Sequence, residues 1–139
     1  LRESSITGSI GEYFVIGEFL KHGFAVYLPV VDRGIDCIVG NGVDYFEIQT
    51  KTRATVNDGK YEFHVRNFKV RDNFFIVCYQ AALYPDVFWI IPSKVFHEYG
   101  YQTSKSKVFK LVLNPKKQKI LEEYKNNFKQ FQLAEDEKQ

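Results

Sequence analysis

An aspartate, a glutamate, a glutamine and a lysine are gathered in the stretch from Gly34 to Arg53, GIDCIVGNGVDYFEIQTKTR. Residues 44–52 alternate strictly, so Tyr45, Glu47, Gln49 and Lys51 share one strand face while Phe46, Ile48 and Thr50 share the other, the core side. Residues 35–39 carry the apolar, β-branched Ile35, Ile38 and Val39, and Asn41-Gly42 between the two runs is the strongest short hairpin signal. A tight turn centred on that pair sets Asp36 opposite Glu47, with Gln49 diagonal to it. Carboxylate and amide oxygens suit a hard divalent cation such as Mg²⁺, which takes one or two carboxylates, keeps several waters and accepts phosphate oxygens. A lysine beside such an ion orients a water and offsets the charge that develops during attack. The set suits phosphodiester hydrolysis. Against it stands the ordinary polar outer face of any half-buried strand, so the hairpin needs support from the rest of the chain.

The elements that must position these groups can be read on either side. Residues 4–22 have helical periodicity, with Ile6, Ile10, Tyr13, Phe14, Gly17 and Leu20 as the expected buried stripe and Glu12 beside it. Gly8, Gly11 and Gly17 lower helix propensity, which a chain tolerates where backbone must approach a neighbour closely. Residues 24–31 read as a strand, with Pro29 marking an edge position or an early end, and Asp32-Arg33-Gly34 as a turn before the hairpin. Residues 61–66 alternate again, and 67–73 are read as one or two helical turns. FFIVCYQ, 74–80, is the best candidate for a central strand buried on both faces, with 87–91 pairing to it across a turn at Tyr84-Pro85-Asp86. A short helix at 94–99, a polar loop at 101–107, a strand at 108–113 and a terminal helix from Pro115 to about Leu133 follow. In that last helix Ile120, Leu121, Tyr124, Phe128 and Phe131 form the apolar stripe.

Composition fits this outline. The 139 residues, 45% hydrophobic, fit one domain that buries about two thirds of the surface its unfolded chain exposes. The net charge is only +2, but seven lysines between Ser93 and Lys119 face the single acid Glu98, and the tail 134–139 is acidic. That distribution suits a polyanion partner, although a solvated lysine-rich surface looks the same. Cys37 and Cys78 sit in apolar runs without metal-type spacing and read as buried free thiols in a reducing, cytoplasmic setting. No signal peptide or membrane-spanning stretch is visible. The sequence has no methionine, an initiator included, so a longer native chain is expected.

Gly8-x-x-Gly11-Glu12 in the first helix, Gly34-Ile35-Asp36 at the second strand and Gln49-Thr50-Lys51 in the third resemble the PD-(D/E)XK nuclease superfamily. The branch most similar has glutamine in place of the acid before x-Lys, as in certain small homing endonucleases and related uncharacterised endonucleases. The resemblance implies an α/β (mixed α+β sheet) domain with a restriction-endonuclease-like αβββαβ core at 5–80, elaborated over 81–133. It implies a metal-dependent DNA endonuclease that hydrolyses phosphodiesters by water attack with Mg²⁺, or Mn²⁺ as substitute. Residue by residue, Asp36 becomes the main metal ligand, Gln49 a ligand through its side-chain oxygen, Glu12 a further ligand direct or through water, and Lys51 the water-positioning partner. Two departures stand out: Gln49 removes a negative charge that Glu47 is placed to restore, and Pro29 is not followed by the usual acid.

Arg53, Lys105 and Lys107 are the expected DNA-backbone contacts, and cutting both strands implies a homodimer or higher symmetric assembly. The reading from a different class is a nuclease-fold module that has lost catalysis and serves as a nucleic-acid or protein-interaction domain of a larger protein. Trp89 reads as core, and His64 and His97 as surface or satisfied core residues.

Overall fold

The computed structural model describes residues 3–31, 33–54, 56, 58–81 and 85–133. Helix α1 (Glu3–Lys21) leads into β1 (Ala25–Tyr27), β2 (Cys37–Gly40) and β3 (Tyr45–Arg53). Then come β4 (Tyr61–Arg66), β5 (Phe74–Gln80), β6 (Val87–Pro92), α2 (Ser93–Tyr99), β7 (Tyr101–Gln102), β8 (Val108–Leu113) and α3 (Pro115–Ile120). Short 3-10 turns at Glu122–Tyr124 and Phe128–Phe131 follow α3. The strands make a five-stranded sheet in the order β1-β2-β3-β5-β6 and a three-stranded sheet in the order β4-β8-β7.

The larger sheet is the middle layer. β5 runs parallel to β3 and antiparallel to β6, and its apolar run is buried on both faces, as the sequence leads one to expect. Phe74, Ile76 and Cys78 meet Phe63, Val65 and Leu111 of the smaller sheet, while Val77 and Tyr79 belong with Val15 and Phe19 of α1. Trp89 is 1% exposed and is core. Among the described residues no helix is long and apolar enough to cross a membrane.

Four features depart from the sequence reading. The first concerns which face of α1 is buried. Gly11, Val15 and Phe19 face the sheet, whereas Ile6, Ile10, Tyr13, Phe14 and Leu20 are 45–71% exposed. Backbone proximity decided the contact: a Cβ on Gly11 would collide with the Thr52 side chain of β3, so only glycine lets the helix sit this close. Positions four and eight residues further on then face inward by helical geometry. Gly8 and Gly17 have nothing near their missing Cβ atoms, so of the three helix glycines only Gly11 serves close approach.

The second is the hairpin. Gly40 pairs with Tyr45 and Cys37 with Ile48, so the turn spans residues 41–44 rather than two residues. The Asn41 side chain builds it, Oδ1 accepting from the N–H groups of Val43 at 2.9 Å and Asp44 at 2.8 Å. Gly42 takes a φ of 96° within it. Glu47 therefore faces Ile38, not Asp36, while the shift by two residues leaves every side chain on its expected face.

The third is the crossover between β3 and β5. Residues 67–73 form no helix; Asn67 and Asn73, both with φ of 54°, turn the chain at each end. β4, the strand expected at 61–66, joins the second sheet, and a turn stands in place of the expected second helix. Nor does β1 reach the expected residue 31; it stops at Tyr27, ahead of Pro29. The polar loop at 101–107 starts as the two-residue strand β7.

The last departure is the C-terminal helix, where α3 ends at Ile120. Leu121 is buried in the core beneath the smaller sheet, whereas Phe128 and Phe131 are buried on the α1 side. One straight helix cannot reach both sides of a sheet. The chain instead wraps the edge of β6, where Asn126 donates its N–H to the Phe88 carbonyl at 2.6 Å and accepts from the Phe88 N–H through Oδ1 at 2.8 Å. A bridge between Trp89 and Lys125 continues the cover of that edge. The expected turns at Asp32-Arg33-Gly34 and Tyr84-Pro85-Asp86 fall partly, and the acidic tail 134–139 wholly, outside the described residues.

Replacing Gly11 by valine is expected to cost about 1–3 kcal/mol by urea denaturation through overpacking against β3. Adding Thr52→Ala should recover part of that loss, because it removes the hydroxyl and methyl that the new side chain meets.

Candidate active site

Asp36 stands just ahead of β2, and its bonds to β3 are specific. Its N–H donates to the Ile48 carbonyl at 2.8 Å and its Oδ2 accepts from the Thr50 N–H at 2.6 Å. The two bonds bracket Gln49, so Asp36 lies beside Gln49 rather than Glu47. Thr50 is 7% exposed, and its N–H gains a charged acceptor where water has little access.

Glu12 follows Gly11 directly, so the close docking that Gly11 permits also carries Glu12 to the start of β2. Glu12 and Asp36 line one cavity of about 270 Å³, with Tyr13, Ile16 and Pro29 among its walls. Cys37 reports their joint charge: burial first, then Asp36 and Glu12, push its thiol up to about 12.

Gln49 and Lys51 project half-buried from the opposite face of β3 to Ile48 and Thr50. Lys51 pairs in register with Cys78 of β5, whose thiol burial pushes far up while the Lys51 charge works the other way. Gln49 opens onto a second cavity of about 150 Å³, which it shares with Arg33, Gly34, Arg66, Lys69 and Arg71. Glu12 thus lies to one side of the Asp36–Gln49 pair and four cations to the other.

Among the described residues no three His, Cys, Asp or Glu side chains converge on a point. A cation at this place would draw on two carboxylates, Asp36 and Glu12, and on the Gln49 amide oxygen. That all-oxygen set, completed by water, is the chemistry Mg²⁺ prefers.

Glu47, expected to complete the cation site, instead forms an ion pair at 3.3 Å with Arg71, whose guanidinium also lies 4.1 Å from the centre of the Phe74 ring. Its expected role rested on standing opposite Asp36, and the hairpin register removes that premise. Arg53 uses its Nε–H to hold the Glu62 carbonyl at 2.7 Å, tying β3 to β4. Lys107 flanks the second cavity through its carbonyl, which accepts from the N–H of Asn67 at 3.0 Å. Lys105 lies exposed in the same β7–β8 turn. His64, near Glu62 and Lys110, is held below its ordinary pKa by burial and by the positive charges of Arg53 and Lys110. Arg33, Arg66, Lys69 and Arg71 escape a reading of the sequence because they come together only when 33–34 and 66–71 meet over β3. The one local signal was the density of cations in RNFKVR, residues 66–71.

No family model matches the chain, and none of the curated proteins matches it. Its fold is similar to that of a bacterial homing endonuclease, I-Ssp6803I, with a TM-score of 0.71 and 21% identity, covering 94% of this chain and 91% of that one. A Holliday junction resolvase, Hjc of Archaeoglobus fulgidus, superposes with a TM-score of 0.49 and 17% identity over 83% of this chain and 95% of that one. The chain has the restriction-endonuclease-like nuclease fold, a mixed α+β architecture.

Substitution of Asp36 by alanine is expected to cost about 1–3 kcal/mol by urea denaturation, because the buried Thr50 N–H loses its acceptor. Asn at the same position keeps an oxygen there and should lose distinctly less.

Proposed function

We propose that this chain is a metal-dependent DNA endonuclease that hydrolyses phosphodiester bonds by water attack. The observation that carries the reading is that Asp36, locked by the Thr50 N–H beside Gln49, shares one cavity with Glu12. Its fold neighbour's description as a homing endonuclease gives the reading its substrate class, DNA.

Asp36 and Glu12, with the Gln49 amide oxygen, are the groups that would hold Mg²⁺. When bound, the ion supplies positive charge for a phosphate oxygen and lowers the pKa of a water. Asp36 arrives already oriented, since one oxygen is committed to the backbone, and this limits the reorganisation needed to bind a cation. Gln49 contributes an oxygen without charge, which predicts weaker cation affinity than a third carboxylate would give. Lys51, two residues further along the same face, brings an ammonium to hydrogen-bond the attacking water or a scissile-phosphate oxygen and to offset charge that builds in the transition state. A symmetric homodimer would supply the second such site for cutting both strands of a duplex.

Supercoiled plasmid should be nicked or linearised with Mg²⁺ or Mn²⁺ in low salt, and Lys51→Ala should lower the rate by about 100-fold or more. Titration calorimetry with Mn²⁺ should show a site that Asp36→Ala removes. A chain that binds DNA equally well with and without Asp36 and never cuts it is a binding module instead.

A further inference from the structure

The second cavity, open to Gln49, is a built cationic groove. Arg33, Arg66, Lys69 and Arg71 all line it. Among the described residues Arg33, Arg66 and Lys69 take part in no ion pair, and the acid that pairs with Arg71 is Glu47. Four cations around one small concavity repel one another, and a chain that holds them together with a single matching acid, Glu47, has an anion as the natural counterpart of the rest.

The wall that carries three of them is anchored at both ends. Asn67 donates to the Lys107 carbonyl, and the buried Ser93 hydroxyl both accepts from the Arg71 N–H at 3.1 Å and donates to the Arg71 carbonyl at 2.7 Å. Between these ends Phe68 packs its ring against Phe96 and Phe109, at 5.2 Å and 4.9 Å between centroids. Arg71 is further aligned by Phe74 beneath it and by the Glu47 carboxylate. Arg66, Lys69 and Arg71 therefore point from a fixed backbone rather than from a loose loop.

At about 150 Å³ the cavity is well below the roughly 300 Å³ where pockets for drug-sized ligands begin. It suits a single phosphate group rather than a nucleoside.

We propose that this groove seats a backbone phosphate of the DNA strand next to the one attacked, and that Glu47 holds Arg71 in place until that phosphate takes over. The proposal rests on the nuclease reading for its substrate. Gln49 borders both the groove and Asp36, so a phosphate held among Arg33, Arg66, Lys69 and Arg71 sets the register of the strand relative to Asp36 and Lys51. In this arrangement Glu47 competes with DNA for Arg71 and takes no part in binding a cation.

The test is equilibrium binding of a short fluorescent DNA duplex to the full chain in EDTA over a range of salt, beside plasmid cleavage in Mg²⁺. Arg66→Ala/Lys69→Ala, two exposed positions whose loss should leave the thermal melt unchanged, is expected to weaken binding at least tenfold in low salt. Its log K against log salt should be shallower by about 0.9 for each phosphate that the variant no longer neutralises. Glu47→Gln is expected to bind several-fold more tightly and still cleave. Wild-type affinity and salt slope in the double variant, or no DNA binding by the wild type, would overturn the groove. Loss of cleavage by Glu47→Gln with unchanged affinity would overturn the role given to Glu47. If the double variant loses binding while the wild type cuts no substrate, the groove stands and the nuclease reading falls.

Discussion

The N–H of Thr50 meets the Asp36 carboxylate at a point where β2 has not yet begun, and the geometry on both sides follows from that bond. It fixes the segment leading into β2 against the middle of β3, and with the bond from the Asp36 N–H to the Ile48 carbonyl it brackets Gln49. A buried N–H without an acceptor costs about 1–3 kcal/mol, so the carboxylate is held where a neutral loop would drift. The residue proposed to bind a cation is thus also a structural member of the sheet, and the Thr50 N–H sets the orientation of its carboxylate.

The remaining elements bring charge to this bond from two directions. Gly11 lets α1 lie against Thr52 without a Cβ between them, which carries Glu12 to the cavity that Asp36 lines. On the far side, β4 leaves the main sheet and the turn from Arg66 to Arg71 comes back over β3, bringing its cations to Gln49. A neutral amide at the border between carboxylates and guanidinium groups is electrostatically sensible. A third carboxylate there would strengthen a cation site but would also draw the neighbouring arginines into ion pairs, as Glu47 already draws Arg71.

Both layers rest on β5 and β6. Their two buried faces let aromatic side chains from the C-terminal segment, Phe128 and Phe131, fill the α1 side while Leu121 fills the other. Each such side chain gains roughly 1.5–3 kcal/mol by full burial, which outweighs the helical hydrogen bonds given up when α3 stops at Ile120. Asn126 then takes over the β6 edge that would otherwise stay open.

Alternation along Tyr45–Arg53 and the continuous apolar run of Phe74–Gln80 were legible without coordinates, because strand period and double burial are local patterns. So were the three motifs that carry the resemblance to the nuclease superfamily, since each is contiguous. The buried face of α1 was not: the apolar stripe through Ile6 and Ile10 is locally the better one, and only the approach to Thr52 makes Gly11 the point of contact. The partner of Asp36 was not either, because a turn of four residues and one of two share the same Asn-Gly signal and differ in whether the Asn41 side chain closes the loop. Which strand faces are polar, and which residue types are available for chemistry, is written in local order along the chain. Which of them meet is not, because the cavities shared by residues as distant in the chain as Glu12 and Asp36, or Arg33 and Lys69, are set by how layers dock and leave no local periodicity to read.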